Sequence, residues 1–339
     1  MPDVENVIII GSGPAGYTAA LYTARANLEP LVIEGFLWGG LLQQTTDVEN
    51  FPGYPQGVMG PAMMQDLRDQ AERFGSRFIT DNATKIEPGS GGEPHTVWID
   101  DEPHQALTVI LAMGAEHKKL GVPGEEELGG RGVSYCATCD AAFYKDRTTI
   151  IVGGGDSAME EALFLSKFSS SVTIVNRRDE FRASKIMLER ARATENITFM
   201  TPYVVDEFVA GDGGALCEAR LRNVETGETT QLPMSGAFIA VGHEPQSEIV
   251  RGVVETDENG YVLTEGKSTR TNVPGMFAAG DLVDHTYRQA VTAAGSGCQA
   301  ALDAEWYMRD NPKIATPRSL EGDGDLAEEA WAPAQVFTD

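Results

Sequence analysis

A short apolar run, a glycine-rich turn and a helical stretch follow one another twice in this chain, and that repeat restricts what it can fold into. Val7-Ile8-Ile9-Ile10 leads into Gly11-Ser12-Gly13-Pro14-Ala15-Gly16 and a helical stretch to about Ala26, after which Leu31-Val32-Ile33 ends on Glu34. The order returns at Ile150-Ile151-Val152, then Gly153-Gly154-Gly155-Asp156-Ser157-Ala158, a helical stretch to about Phe168, and Val172-Thr173-Ile174-Val175 ending on Asn176. Gly11 and Glu34 lie 23 positions apart, and so do Gly153 and Asn176. Each copy closes on another strand-like run into glycine, Val109 to Gly114 and Ala237 to Gly242. Apolar runs this short, separated by turns and helices, read as buried parallel strands in β-α-β units.

Both glycine-rich turns stand between a strand and a helix, the context a dinucleotide pyrophosphate needs. Glycines let the backbone approach the phosphates, and the helix N-terminus offers free N–H groups and the positive end of its dipole. One such turn alone is also an ordinary tight turn, but two at matched spacing argue for ligand sites. The expected fold is α/β, with two Rossmann-like dinucleotide-binding domains, the second inserted into the first. The first domain would comprise 1–114 and 246–316, the second 115–245. Residues 89–94 read as a loop between strands, the stretch after Pro245 as more sheet, and Arg288 to Arg309 as a helix. Residues 317–339 lose periodicity, become rich in Gly, Asp, Glu and Pro, and read as a disordered acidic tail.

The ends of the second strands distinguish the two sites. Glu34 is placed to accept hydrogen bonds from a ribose diol, which suits FAD or NAD. The second copy has no acid there, but Asn176-Arg177-Arg178 with Arg182 close behind. Guanidinium groups fork onto a 2′-phosphate that a carboxylate would repel, so this site should prefer NADPH to NADH. The alternative is a solvated turn whose arginines pair with Asp179 and Glu180. Asp281, after Ala278-Ala279-Gly280, would sit at a strand's C-terminal edge where open α/β sheets bind ligands, or cap the following helix.

Cys136-Ala137-Thr138-Cys139-Asp140 precedes the second nucleotide unit. Zinc would want further Cys or His ligands nearby, and the five histidines are scattered, so no metal is expected. Two inert buried thiols are a second reading. A reversible disulfide is the third, favoured because a flavin site accompanies it. Asp140 could supply a proton to a departing thiolate if burial raises its pKa, or could merely cap a turn.

Composition narrows the partners. Only 8 Lys and 18 Arg stand beneath 51 acidic residues, for a net charge of −25, which speaks against nucleic acid and anionic membranes. The acidity fits either a generally acidic cytosolic protein or a surface adapted to high salt. No run approaches the ~20 apolar residues of a membrane span. Acidic Asp3 and Glu5 ahead of the first strand do not resemble a signal peptide, so a cytoplasmic protein is expected.

Several segments together closely resemble the low-molecular-weight thioredoxin reductases, FAD-dependent class II pyridine nucleotide-disulfide oxidoreductases. They are 11–20, Glu-Asn-Phe-Pro-Gly at 49–53, 136–140, 153–162, Asn-Arg-Arg-Asp-Glu-Phe-Arg-Ala at 176–183, Ala-Ala-Gly-Asp at 278–281, Tyr-Arg-Gln-Ala at 287–290 and 297–301. The resemblance runs over about residues 5–310 and implies a homodimer that reduces thioredoxin and so maintains redox balance. It implies FAD held by Gly11 to Gly16, Glu34, Gly40, Gln43, Asn50, Ala83, Gly280, Asp281, Arg288, Gln289 and Ala290. It implies NADPH on Gly153, Gly155, Asp156, Ser157, Ala158, Arg177, Arg178 and Arg182. Cys139 would lie nearer the flavin, Cys136 would attack the partner's disulfide, and Asp140 would manage protons. The second domain would rotate on hinges near Gly114–His117 and Gly242–Pro245. Three departures from the family pattern stand out: Met113 for a threonine, Asn176 for a histidine, and Ala141-Ala142 where Gly-Phe is common. Related flavoproteins that pass electrons to ferredoxin, a quinone or oxygen generally lack the Cys-x-x-Cys. A flavin-binding redox sensor, with the disulfide as a switch, is the reading from another class, and retention of both nucleotide turns and Asp140 disfavours it.

Overall fold

Every residue from Asn6 to Ile10 is buried, which a strand achieves only with neighbours on both edges and cover on both faces. The structure is a computed structural model that describes residues 4–45 and 47–311. The expected acidic tail, 317–339, lies outside the described residues. Among those described, six α-helices occur: α1 Pro14–Arg25, α2 Gly60–Arg73, α3 Ala137–Asp140, α4 Asp156–Leu165, α5 Lys185–Ala193 and α6 Ala290–Asp310. None is long and apolar enough to cross a membrane.

The chain divides into two compact units. Among the described residues, one contains 4–40, 64–114 and 247–311; the other contains those of 41–63 and 115–246. In the first, strand Glu5–Ile10 lies between Leu31–Ile33 and Glu102–Leu111, parallel to both. Arg77–Ile79 extends the sheet beyond Leu31–Ile33, and Met276–Ala278 pairs in parallel with the end of Glu102–Leu111. Antiparallel strands His95–Ile99 and Lys85–Glu87 complete it.

Alternation along the central strand sorts its side chains to two layers. Val7 and Ile9 pack with Ala15, Ala19 and Ala20 of α1 and Ala300, Ala301 and Ala304 of α6. Ile8 and Ile10 pack on the other face with Val109, Leu111, Val250 and Val262. Each such apolar side chain contributes roughly 1.5–3 kcal/mol when fully buried, so the strand's register is strongly specified. Helices α1 and α6 approach closely because small residues line their contact: a Cβ on Gly297 would lie 2.1 Å from the carbonyl oxygen of Ala15.

The second unit repeats this plan. Thr148–Val152 lies between Ser171–Val175 and Gly236–Ile239, again parallel to both, and Ile197–Met200 and Val133–Ser134 extend the sheet on either side. An antiparallel sheet of Tyr203–Ala210, Leu216–Asn223 and Thr229–Pro233 is appended. Ala115–His117 and His243–Pro245 pair as a two-stranded antiparallel ribbon. Residues 41–63 contain a short hairpin of Asp47–Val48 and Val58–Met59.

The expected loop at 89–94 falls between Lys85–Glu87 and His95–Ile99. The stretch after Pro245 differs from expectation. Up to Met276 it forms turns with isolated bridges, such as Thr256 with Val262, and no regular strand among the described residues. Gly252, Asp257, Asn259, Gly260 and Gly266 break its apolar pattern into pieces too short to pair.

Candidate active site

The two glycine-rich turns match hydrogen bond for hydrogen bond. Gly11 N–H donates to the carbonyl of Ile33 at 2.9 Å, and Gly153 N–H to that of Val175 at 3.0 Å. Ala112 N–H donates to Ile10 at 2.8 Å, and Ala240 N–H to Val152 at 2.9 Å. At Gly11, φ is +108° and a Cβ would lie 2.2 Å from the carbonyl oxygen of Ala112. Only glycine fits there. Gly13 and Gly155 are glycines for the opposite reason: a Cβ on either would meet nothing within 4 Å, leaving open space over the backbone. They are also the N-caps of α1 and α4, and neither helix has a side-chain cap, so first-turn N–H groups stay available to an anion. The third glycine position differs between copies. Gly16 sits where a Cβ would be 2.1 Å from the Gly11 carbonyl oxygen, whereas the second copy carries buried Ala158.

Most of the remaining residues expected around the first turn gather in the same unit. The Ser12 hydroxyl donates to the Glu34 carbonyl at 2.6 Å and accepts from Gly39 N–H at 3.0 Å, tying the turn to the end of the second strand. Gly40 packs on Gly13, and Gly280 on Ala15. Ala83 follows Asn82, whose side chain accepts from Phe36 N–H. Glu34 is 3% exposed, and its carboxylate accepts from Tyr17 Oη, Arg68 Nε and Nη2, and Thr80 Oγ1. Arg68 in turn stacks over Phe78, 4.2 Å from its centroid. The carboxylate is therefore rigidly placed at the strand end.

Asp281 follows strand Met276–Ala278 in a short 3₁₀ turn. Its Oδ1 is buried without a hydrogen-bond partner. Burial, reinforced by the neighbouring charge of Asp284 and opposed by Arg288, pushes its carboxyl up to about 7. Arg288 has φ +49°, a left-handed conformation, immediately before Gln289 caps α6 at Ala290. Asp284 holds that bend by accepting from the N–H groups of Thr286, Tyr287 and Arg288. The first unit therefore holds, at this edge of its sheet, a buried carboxylate oxygen without a hydrogen-bond partner among the described residues. Gln43 and Asn50 belong to the other unit; Gln43 Oε1 is also buried without a hydrogen-bond partner.

At the second turn, Gly154, Asn176, Arg177, Arg178, Glu180 and Arg182 line a small cavity of about 30 Å³. All three arginines are exposed, and none forms an ion pair among the described residues. Asp179, the suggested partner, accepts instead from Thr201 Oγ1 at 2.7 Å. Among the described residues, three guanidinium groups without an ion pair thus gather around one cavity in a chain of net charge −25. The Asp156 carboxylate accepts from Ser184 N–H at 2.7 Å and so anchors the start of α5.

Cys136 and Cys139 form a disulfide with their Cα atoms 5.3 Å apart. Cys136 is the N-cap of α3, where its Sγ accepts from Cys139 N–H at 3.2 Å. Cys136 is half-buried and Cys139 exposed. Burial raises the Asp140 carboxyl above the usual aspartate range, against a hydrogen bond from Ser134 that lowers it. A disulfide beside a carboxyl whose pKa burial raises has the groups that thiol exchange with proton transfer requires.

A family model described as "Pyridine nucleotide-disulphide oxidoreductase" matches residues 5–297. The chain belongs to the pyridine nucleotide-disulphide oxidoreductase family. A thioredoxin reductase of Mycolicibacterium smegmatis is 57% identical to it over 309 residues, covering 91% of this chain and 97% of that one. A bifunctional thioredoxin reductase/thioredoxin of Mycobacterium leprae is 52% identical over 324 residues, 95% of this chain and 70% of its own. The crystal structure of thioredoxin reductase from Streptococcus pyogenes MGAS5005 superposes with a TM-score of 0.86 at 41% identity, covering 91% of this chain and 100% of that one. Within the pyridine nucleotide-disulphide oxidoreductases, this chain is an oxidoreductase of the thioredoxin reductase kind, and it carries the Cys136–Cys139 disulfide.

Several supporting residues of this member of the family carry no sequence signal. Ser134 accepts from Cys136 N–H at 3.1 Å and also bonds Asp140, so one hydroxyl links the two residues. The Glu161 carboxylate accepts from Ala137 N–H in the first turn of α3 from a helix 24 positions away. Arg68 reaches Glu34 across 34 positions, and Asp284 reads as one more surface acid. Only the Cys-x-x-Cys spacing of Cys136 and Cys139 hinted at the local geometry.

Proposed function

We propose that this chain is an NADPH-dependent flavoprotein that reduces the disulfide of a thioredoxin through Cys136 and Cys139. The observation that carries the reading is the Cys136–Cys139 disulfide at the head of α3, with Asp140 beside it and an unpaired arginine cavity in the same unit. In this reading residues 1–114 and 246–316 hold FAD through the first glycine turn, Glu34, Gln43, Asn50, Ala83, Asp281 and Arg288 to Ala290. Residues 115–245 hold NADPH through Gly153 to Ala158 and the three arginines. When bound, these groups supply a hydride and relay its electron pair to the disulfide.

The chain's own residues then perform the exchange. Reduction leaves thiols at Cys136 and Cys139, and the Cys139 N–H bond to Cys136 Sγ favours the thiolate at Cys136. That thiolate attacks one sulfur of the partner's disulfide; the partner's S–S bond breaks, and its departing thiolate takes a proton, which Asp140 is placed to supply. Cys139 as thiolate next attacks Cys136 Sγ in the mixed disulfide. The Cys136–Cys139 bond re-forms, and the second partner thiolate leaves and takes the second proton. One NADPH and one proton from solution balance the dithiol produced.

The partner surface includes Phe143, 43% exposed just beyond Asp140, beside the Ala141-Ala142 departure. A second copy of the chain would cover Tyr22 of α1 and Leu302 and Trp306 of α6, which are 42%, 38% and 40% exposed on adjoining helices. Disulfide reduction driven by NADPH suits a reducing compartment, so we place the protein in the cytoplasm.

An anaerobic NADPH titration followed by a thioredoxin tests this function. The flavin should bleach on NADPH and recover its absorbance as oxidised thioredoxin is added. Cys136→Ser should still bleach but lose the recovery. Retained thioredoxin turnover in Cys136→Ser would refute the role given to that sulfur.

A further inference from the structure

The arginines of the anion cavity project from a loop that a neutral side chain holds in shape. Asn176 is half-buried at the end of strand Ser171–Val175. Its Nδ2 donates to the carbonyl oxygens of Arg178 at 2.6 Å and Glu180 at 3.2 Å, so one amide closes the turn on both sides of Asp179. Its Oδ1 fills the space beside Gly154, where a Cβ would lie only 2.5 Å away. The Gly154 carbonyl accepts from the N–H groups of Arg182 at 2.8 Å and Ala183 at 3.0 Å, fastening the far end of the loop. Because both Nδ2 partners are acceptors, the amide's orientation is set by its network.

The guanidinium groups themselves have no such restraint. Arg177, Arg178 and Arg182 are exposed, with no ion pair among the described residues, so the backbone beneath them does the aiming. An arginine side chain loses considerable rotamer freedom when it is ordered on a ligand. A loose 176–180 turn would add backbone entropy to that cost.

We infer that Asn176 is a positioning residue for discrimination between phosphorylated and unphosphorylated nucleotides: from the wall of the cavity it fixes the spread of Arg177 and Arg178 through its bonds to the Arg178 and Glu180 carbonyls. The inference rests on the reading that this cavity takes the 2′-phosphate of NADPH. The adenosine 5′-phosphate side of the ligand belongs to the Gly153–Ala158 turn, whose Gly153 N–H donates to the carbonyl of Val175 and not to the Asn176 side chain. Loss of the amide should therefore weaken only ligands that carry the 2′-phosphate.

The test uses the flavin-loaded enzyme and calorimetric titration with 2′,5′-ADP and with 5′-ADP. Asn176→Ala removes both donors and should weaken 2′,5′-ADP by about three- to tenfold while moving 5′-ADP less than about twofold. Asn176→Ser, able to reach one carbonyl at most, should lie between, and Asn176→His, which keeps a ring N–H donor, should recover most of the loss. In steady state the effect should fall on KM for NADPH rather than on kcat. Equal weakening of both nucleotides in the Ala and Ser variants, or unchanged 2′,5′-ADP binding, would overturn the positioning role. The underlying cavity reading has its own control: the parent should prefer 2′,5′-ADP, and Arg177→Ala with Arg178→Ala should erase that preference. A parent with no preference would remove both claims; a parental preference that persists undiminished in Asn176→Ala removes only this one.

Discussion

Asp140 can donate a proton only while it still carries one, and its surroundings extend the pH range in which it does. Burial raises its carboxyl above the usual aspartate range, so the acid persists to higher pH than it would in the unfolded chain. As pH rises through that elevated pKa, the donor is lost and thioredoxin turnover should fall. The same shift affects stability: the native state holds the proton more tightly, so stability is highest below the ordinary aspartate pKa and declines as pH rises through the raised one. Asp140→Asn should lower thioredoxin turnover by about a hundredfold and remove the Asp140-dependent fall from the pH profile of kcat/KM. Full turnover in the Asn variant would show that the carboxyl merely caps a turn. At this scale the sequence was legible where chemistry is adjacent in the chain: Cys136, Cys139 and Asp140 lie within five positions. Ser134 and Glu161 were not legible, because a serine near a cysteine is commonplace and Glu161 meets Ala137 only after α4 has docked.

Secondary structure followed the periodicity wherever burial was two-sided. The central strands of both units, α1, α4 and α6 lie within a few residues of where the pattern puts them, because continuous apolar runs bounded by glycine leave few alternatives. The appended antiparallel sheet offers strands that alternate exposed and half-buried residues, as in Thr229–Pro233, and left no comparable run to read. Helix α6 permits a test with opposite signs two positions apart. Gly297 faces the backbone of α1, and a Cβ there would lie 2.1 Å from the Ala15 carbonyl oxygen, so Gly297→Val must push the helices apart. A Cβ on Gly295 meets nothing within 4 Å. Gly297→Val should cost about 1–3 kcal/mol in thermal unfolding, and with it flavin retention, because Ala15 and Gly280 pack at the same junction. Gly295→Ala should stabilise by about 0.5–1 kcal/mol through helix propensity. Equal effects at both positions would mean that the close helix contact does not govern α6.

For the molecule as a whole, 51 acidic residues against 26 basic ones leave a net charge of −25 that the fold must carry. Self-repulsion of this size weakens a compact state, and salt screens it: the Debye length is about 10 Å at 0.1 M and about 3 Å at 1 M. Salt also weakens favourable ion pairs, but those here are mostly on the surface, such as Arg222 with Asp206 and Lys185 with Glu189. Exposed pairs contribute about 0.2–1 kcal/mol each at most, so relief of repulsion should win. Tm and turnover at saturating NADPH should therefore rise with molar KCl. The arginine cavity predicts the opposite trend for its own ligand, since the same ions compete for Arg177, Arg178 and Arg182. KM for NADPH should increase over the range in which Tm increases. A flat or falling Tm would leave the acidity as ordinary surface composition, whereas a rising Tm with an unchanged KM would argue that the three arginines do not bind an anion.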